Sequence, residues 1–360
     1  MQVEKEIKKN VKKVGIDLDK QSPKYLQLDY NPLIQYSNIE GLEILNTRDA
    51  LKKYPWLKSY FWKLVDKDKD EYTRYSFAND FNGYFIRARK NVKVQIPIQA
   101  CLYLNTNELI QNVHNIIIAE EGSELNILTG CTVARHTAGK HIGISEFFLK
   151  KNSKVNFTMI HAWNEYTEVF PRTGAFLEEN STFVSNYILL TPTRKLETSP
   201  KVLASRNSKA ILKSLLLGRK NSFVDVGGEI ILKGSNSSGL VESRIVARDS
   251  SKIISRGKIV VEGENSKGHI ECRGLLVSGK AEIDTIPELI SKNKKSELTH
   301  EASVGKIKDE ELWYLMSRGL NESGATNVII GGFLNPEFLE IPGVLKAQVR
   351  KIIEETKEKS

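Results

Sequence analysis

A chain of 360 residues, 40% of them hydrophobic, is long enough for two or three core-bearing units and has the composition of a globular protein. The formal net charge of +9 is spread over both ends and the turns, with local excess at Lys5, Lys8, Lys9, Lys12 and Lys13 and again at Lys292, Lys294 and Lys295. Such clusters read as solvated faces, so no nucleic-acid partner is expected. Without a signal-like leader or a run of about 18 apolar residues, no membrane partner is expected either, and the expected location is cytoplasmic.

In chain order, residues 1–100 read as a mixed α/β region. A lysine-rich amphipathic helix is expected over 3–14. A second starts through a Thr47 N-cap and continues towards Tyr60 and Leu64 despite Pro55. The charged run Lys67-Asp68-Lys69-Asp70-Glu71 reads as a surface loop, because it lacks the Gly and terminal Glu of a calcium loop. Residues 83–88 and 92–98 alternate as two strands.

From 115 to 286 one turn signature returns. A small polar pair ending in Ser precedes an apolar or β-branched run at Glu121-Gly122-Ser123, Lys151-Asn152-Ser153, Glu179-Asn180-Ser181, Arg206-Asn207-Ser208, Lys220-Asn221-Ser222, Asn236-Ser237, Asp249-Ser250 and Glu264-Asn265-Ser266. The serines step by roughly 30, 28 and 27 residues and then by about 14 or 15, the length of one strand with its turn, so two units close one flattened turn. A single unit buries no apolar face, and stacking makes the core continuous. Within one unit Val155, Phe157, Met159 and His161 share a face opposite Lys154, Asn156, Thr158 and Ile160. The expectation is a mainly β chain, a parallel β-helix occupying 101–290, with an antiparallel sandwich as the alternative.

Residues 291–360 read as a small helical domain. Helices are expected over 308–318, with Asp309 as cap and Gly319 as stop, over 323–333, and over 344–357 with Leu345, Val349, Ile352 and Ile353 on one stripe. The apolar faces of these helices can pack on each other, and a leftover face with Trp313 and Tyr314 is the alternative place to receive a partner.

The three cysteines, Cys101, Cys131 and Cys272, are far apart and odd in number, which argues against a disulfide framework or a zinc ribbon. No phosphate-binding loop, nucleophile elbow or H-E-x-x-H helix is present. By periodicity Cys272 shares a strand face with Ile270, Gly274 and Leu276, as a buried inert thiol would. His300 and Glu301 read from spacing as a polar hinge. Together the three offer thiolate, imidazole and carboxylate, ligand types that iron accepts.

Longer strings carry a resemblance. The run 83–99 ending Val-Lys-Val-Gln-Ile-Pro-Ile-Gln, Gly130-Cys131-Thr132, Trp163 with Leu177-Glu178-Glu179-Asn180, 270–287, and above all 300–307 followed by 312–320 resemble the SufB/SufD proteins, with the likeness running from about Gly41 to Phe338. The resemblance implies a right-handed parallel β-helix between an N-terminal region and a C-terminal helical domain that docks a SufC-type ABC ATPase. It implies a scaffold rather than an enzyme, carrying a transient iron–sulfur cluster and binding no nucleotide itself. The pairing is a SufB/SufD heterodimer or, for a SufB-like ancestral form, a homodimer. By the same resemblance Cys131 accepts sulfur from a donor, His161 and Trp163 line its path, and Cys272, His300 and Glu301 hold the cluster. Glu311, Leu312, Trp313, Tyr314, Met316 and Arg318 match the docking helix. Arg172 lies near a basic position expected after Trp163 but does not align cleanly. Two rivals stand beside this reading: a SufD-like partner without iron ligation, and a carbohydrate-active β-helix enzyme using Glu121, Glu179 or Asp225 on the outside of the coil.

Overall fold

The computed structural model describes residues 2–339, 341 and 343–357; the side chains of Lys5 and Ile352 lie outside the described residues. The body is a parallel β-solenoid of about eight turns. Successive strands alternate between two sheets, so each pairs with the strand one full coil away. In the first sheet Glu124 pairs with Lys154, Lys154 with Thr182, Thr182 with Lys209, Lys209 with Ser238, Ser238 with Lys267 and Lys267 with Glu297. These steps of 27 to 30 residues are the period set by the serines. The antiparallel-sandwich alternative is excluded by the parallel pairing.

The turn chemistry explains the period. Where the chain passes from the second sheet to the first, the residue before the serine takes a left-handed conformation, as at Asn152, Asn180, Asn207, Asn236 and Asn265 (φ 54° to 59°). Asparagine tolerates that region better than other residues with a Cβ. The serine then folds back: Oγ of Ser153, Ser181 and Ser208 each donates to the carbonyl three residues earlier at 2.6 Å. All three are buried, so the hydroxyl finds its partner in a corner carbonyl that also accepts the serine's own backbone N–H. At the opposite corner the left-handed residue comes one place earlier, at Lys220 and Asp249. There the structure corrects the reading by one residue: Ser251, not the exposed Ser250, is buried and bonded back to Arg248 O at 2.8 Å.

Alternation divides the side chains. Inward positions, including Val155, Phe157, Met159 and Cys272, form one continuous core inside the coil. Outward positions of the first sheet, among them Cys101, Leu128, Ile160, Leu217 and Val246, form a second core with helix α1 (Gln2–Lys12) and residues from the C-terminal helices. Gly130 permits this cover: a Cβ there would collide with Val14 and Ile16.

The N-terminal region extends both sheets. Strand Lys24–Leu28 adds parallel to Ile98–Leu104, and Tyr84–Ala88 adds parallel to Leu109–Ala119; each carries an antiparallel neighbour, Asn31–Tyr36 and Leu42–Asn46. Helix α2 (Thr47–Lys53) is capped by Asn46 rather than Thr47 and stops before Pro55, whose ring opens a separate 3-10 turn, Pro55–Ser59. The charged run is not all loop, because Asp70 caps helix α3 (Glu71–Ala78) in a reciprocal box with Thr73. Of the expected strand at 92–98 there remain one bridge, Lys93 to Glu124, and Ile98, which opens the strand Ile98–Leu104.

At the other end lie α4 (Asp309–Ser317), α5 (Glu322–Phe333) and α6 (Gly343–Lys357). Lys308, not Asp309, is the N-cap of α4, without a side-chain cap bond. Leu345, Val349 and Ile353 are buried as one stripe. The coil itself ends uncovered. Glu282–Ser291 and Glu297–Lys306 are its last rungs, and they leave inward Val304 41% and outward Ile286 45% exposed. Among the described residues nothing caps this end.

Candidate functional site

Cys131 sits inside the coil, directly paired across strands with His161. His161 Nδ1 shares a 2.8 Å hydrogen bond with the Tyr187 hydroxyl of the next rung. His161 Nε2 and Trp163 Nε1 are buried without a partner. The second sheet contributes His141, whose Nδ1 meets Gln111 Oε1 at 2.8 Å and whose ring lies 5.1 Å from Trp163 and 6.3 Å from His161. Burial pushes the Cys131 thiol well above its ordinary range and lowers His141 to about 3; burial and the nearby His141 hold His161 well below its usual value. The result is a buried cluster of neutral groups with two nitrogens unsatisfied.

From this cluster a hydroxyl-bearing column runs down the first sheet. Met159 pairs with Tyr187, Tyr187 with Ser214, Ser214 with Ser243 and Ser243 with Cys272. A cavity of about 40 Å³ follows it, lined by Met159, Tyr187, Ser214, Ser243 and Ser255. A smaller one, about 10 Å³, continues past Ser243 and Ser255 to Cys272 and Glu301. Beyond it Cys272 also borders an open pocket with Glu271, Arg273, Glu301 and Ser303. Tyr187, Ser214 and Ser243 escaped the sequence reading, although stepping back from Cys272 by the repeat length lands on each. His141 and Gln111 carried no sequence signal, because their relation to Cys131 crosses the coil.

His300 and Glu301 are not a hinge but lie within the last strand, Glu297–Lys306. Register places His300 beside Ile270, Glu301 beside Glu271 and Ala302 beside Cys272. His300 therefore faces inward with Cys272, whereas Glu301 faces outward with Glu271. Among the described residues no group of three His, Cys, Asp or Glu side chains is close enough to hold a metal ion. One copy of the chain thus presents Cys272 and His300 on the same face and stops there.

Arg172 is outside the coil interior, pairing with Asp70 at 2.6 Å beneath Tyr72. The three outer carboxylates considered for sugar chemistry are tied to cations one rung away: Glu121 to Lys90 at 2.9 Å, Glu179 to Arg206, and Asp225 to Arg256 by two bonds of 2.8 Å. On α4, Trp313 is 66% and Tyr314 59% exposed, and Arg318 stacks over Tyr314 at 5.3 Å. Leu312 and Leu315 are half-buried, Glu311 and Met316 exposed.

Residues 102–333 match the profile described as SUF system FeS cluster assembly, SufBD core domain. The chain belongs to the SufBD family. An iron-sulfur cluster assembly SufBD family protein of Archaeoglobus fulgidus is 47% identical over 349 residues, covering 96% of this chain and 94% of that one. One of Methanothermobacter thermautotrophicus is 38% identical over 361 residues, covering 98% and 88%. A Staphylococcus saprophyticus relative is 32% identical over 367 residues, covering 98% and 78%. The SufBD assignment places the chain in an iron–sulfur cluster assembly family and removes the sugar-cutting rival. No helix among the described residues is long and apolar enough to cross a membrane.

Proposed function

We propose that the chain is a SufB-like scaffold subunit, which receives sulfur inside the coil and assembles a nascent iron–sulfur cluster at the coil's uncovered end. The observation that carries this reading is the line of cavities leading from Tyr187, whose hydroxyl is bonded to His161, to Cys272. Cys131 takes the terminal sulfur of a donor persulfide: its thiolate attacks, the donor S–S bond breaks and the donor departs as a thiolate. The proton that Cys131 gives up leaves with the donor thiolate, since burial keeps His161 neutral. Trp163 completes the cluster with an N–H that has no other partner.

Cys272 and His300 hold iron and sulfide as cargo on the inward face, with Glu301 joining from the outer face of the same edge strand. The remaining ligands come from a second subunit. Apolar residues at an uncovered coil end and two unpaired edge strands are what a partner coil covers. A homodimer or a SufB/SufD-type heterodimer satisfies this. α4, with Glu311, Leu312, Trp313, Tyr314, Met316 and Arg318, docks a SufC-type ATPase, whose closure on ATP moves the seam and opens the ligands to their substrates.

Anaerobic reconstitution with ferrous iron and sulfide tests the reading. Cys272→Ala loses cluster absorbance and keeps ATPase binding. A Cys272→Ala protein that assembles clusters as the wild type does refutes the site, and a wild-type chain that binds the ATPase but assembles none favours the SufD-like role.

A further inference from the structure

The two internal cavities meet at one contact. Ser243 on the first sheet and Ser255 on the second reach across the coil, Oγ to Oγ, at 3.0 Å. Both cavities are bordered by Ser243, Ser255, Val241 and Arg256, with the larger on the Tyr187 side and the smaller on the Cys272 side. Both hydroxyls are buried, and neither has a role in a rung's turn or in the backbone ladder. Their inward neighbours are Ser214 and Cys272 on the first sheet and Val226 and Thr285 on the second, and among the described residues only this hydroxyl pair bonds across the coil between the two cavities.

Distance gives the pair its meaning. Cys131 and Cys272 are five rungs apart in the first sheet, about 25 Å at the usual strand spacing. The sequence holds no cysteine between them, so no thiol relay links the two. Sulfur therefore crosses as a small free species. With hydrosulfide as carrier the passage is redox-neutral. HS⁻ attacks the terminal sulfur of the Cys131 persulfide, that S–S bond breaks, and HSS⁻ departs as Cys131 thiolate is restored. At Cys272 the thiolate takes the terminal sulfur from HSS⁻ and releases HS⁻.

We propose that Ser243 and Ser255 form a hydroxyl gate in this route: their mutual hydrogen bond closes it, and the same two hydroxyls turn to donate to the sulfur anion as it passes. The gate rests on the internal route proposed above. Both residues are positioning residues, touching cargo in transit and neither cysteine's chemistry.

The test supplies cysteine persulfide and sodium hydrosulfide anaerobically and measures persulfide on Cys272 by mass spectrometry of alkylated peptides. Cys131→Ser, run in parallel, subtracts sulfur that reaches Cys272 from the open end. Ser243→Val, which puts methyl groups into the contact, should slow Cys131-dependent labelling at least about tenfold, a change of about 1.4 kcal/mol in the barrier. Ser255→Ala, which leaves Ser243 without its partner, should speed labelling and serves if the valine variant does not fold. Unchanged labelling rates in both variants overturn the gate alone. A wild type with no Cys131-dependent sulfur on Cys272 overturns the internal route and the gate with it.

Discussion

The interior histidines set a stability profile that can be worked from the structure. His141 is 2% and His161 1% exposed, and burial lowers His141 from 6.5 to about 3. In the unfolded chain both imidazoles take protons below about pH 6.5, whereas in the folded chain they stay neutral. The folded pKa is depressed, so the stability is fully present above pH 6.5 and is lost as pH falls towards the folded value. Each such group costs about 1.4 kcal/mol per pH unit in that window, so His141 alone removes about 2 kcal/mol between pH 6.5 and 5. His161 and His114, lowered chiefly by burial in the same direction, add to the loss. Carboxylates held low by lysines, such as Glu165 and Glu262, act below their ordinary 4.5, leaving the window from 5 to 6.5 to the imidazoles. Urea unfolding at half-unit pH steps measures the slope. His141→Gln should flatten it measurably while keeping an amide next to Gln111. An identical slope in the variant, or a His141 resonance titrating near 6.5 in the folded protein, would refute the claim that the buried histidines stay neutral.

Further consequences are as direct. Ser181→Ala deletes a buried 2.6 Å bond to Glu178 O, which keeps its bond from the residue 181 backbone N–H, so urea midpoints should report a loss of about 1 kcal/mol, with a smaller loss at exposed Ser250. Glu146 is fully buried and accepts from the backbone of Trp62, Leu64 and Val65 as well as from His114 Nε2 at 2.8 Å. Glu146→Gln should therefore cost about 3 kcal/mol and open residues 54–81 to limited proteolysis. Trp313→Ala removes a ring that is 66% exposed, so unfolding should barely shift while ATPase capture falls; unchanged capture removes α4 from the docking surface.

The repeat was legible because corner chemistry and inward alternation are both local: each Asn-Ser pair announces its own turn. The buried cluster was half legible. Cys131 and His161 lie one repeat apart on one sheet, but His141 and Gln111 approach from the other sheet, and no periodicity connects them. Reading His300 and Glu301 as a hinge followed from the open end. Burial enforces apolar alternation, and the inward positions of the last rung, His300, Ala302 and Val304, escape burial, so the strand pattern is weak there. Helix α3 was missed because its box pairs Asp70 with Thr73, where a Glu or Gln at the third position is the usual sign. The N-terminal strands join the coil by pairings across tens of residues, which local patterns do not encode.

The account requires that one chain alone does not complete the cluster site, since Cys272 and His300 share a face and no third described donor is near enough to join them in metal binding. Reconstituted protein separated by size, with light scattering and iron read from the same fractions, measures this. Iron and sulfide should travel only with species of at least twice the 40.7 kDa chain mass. Stoichiometric cluster in the monomer fraction would contradict it.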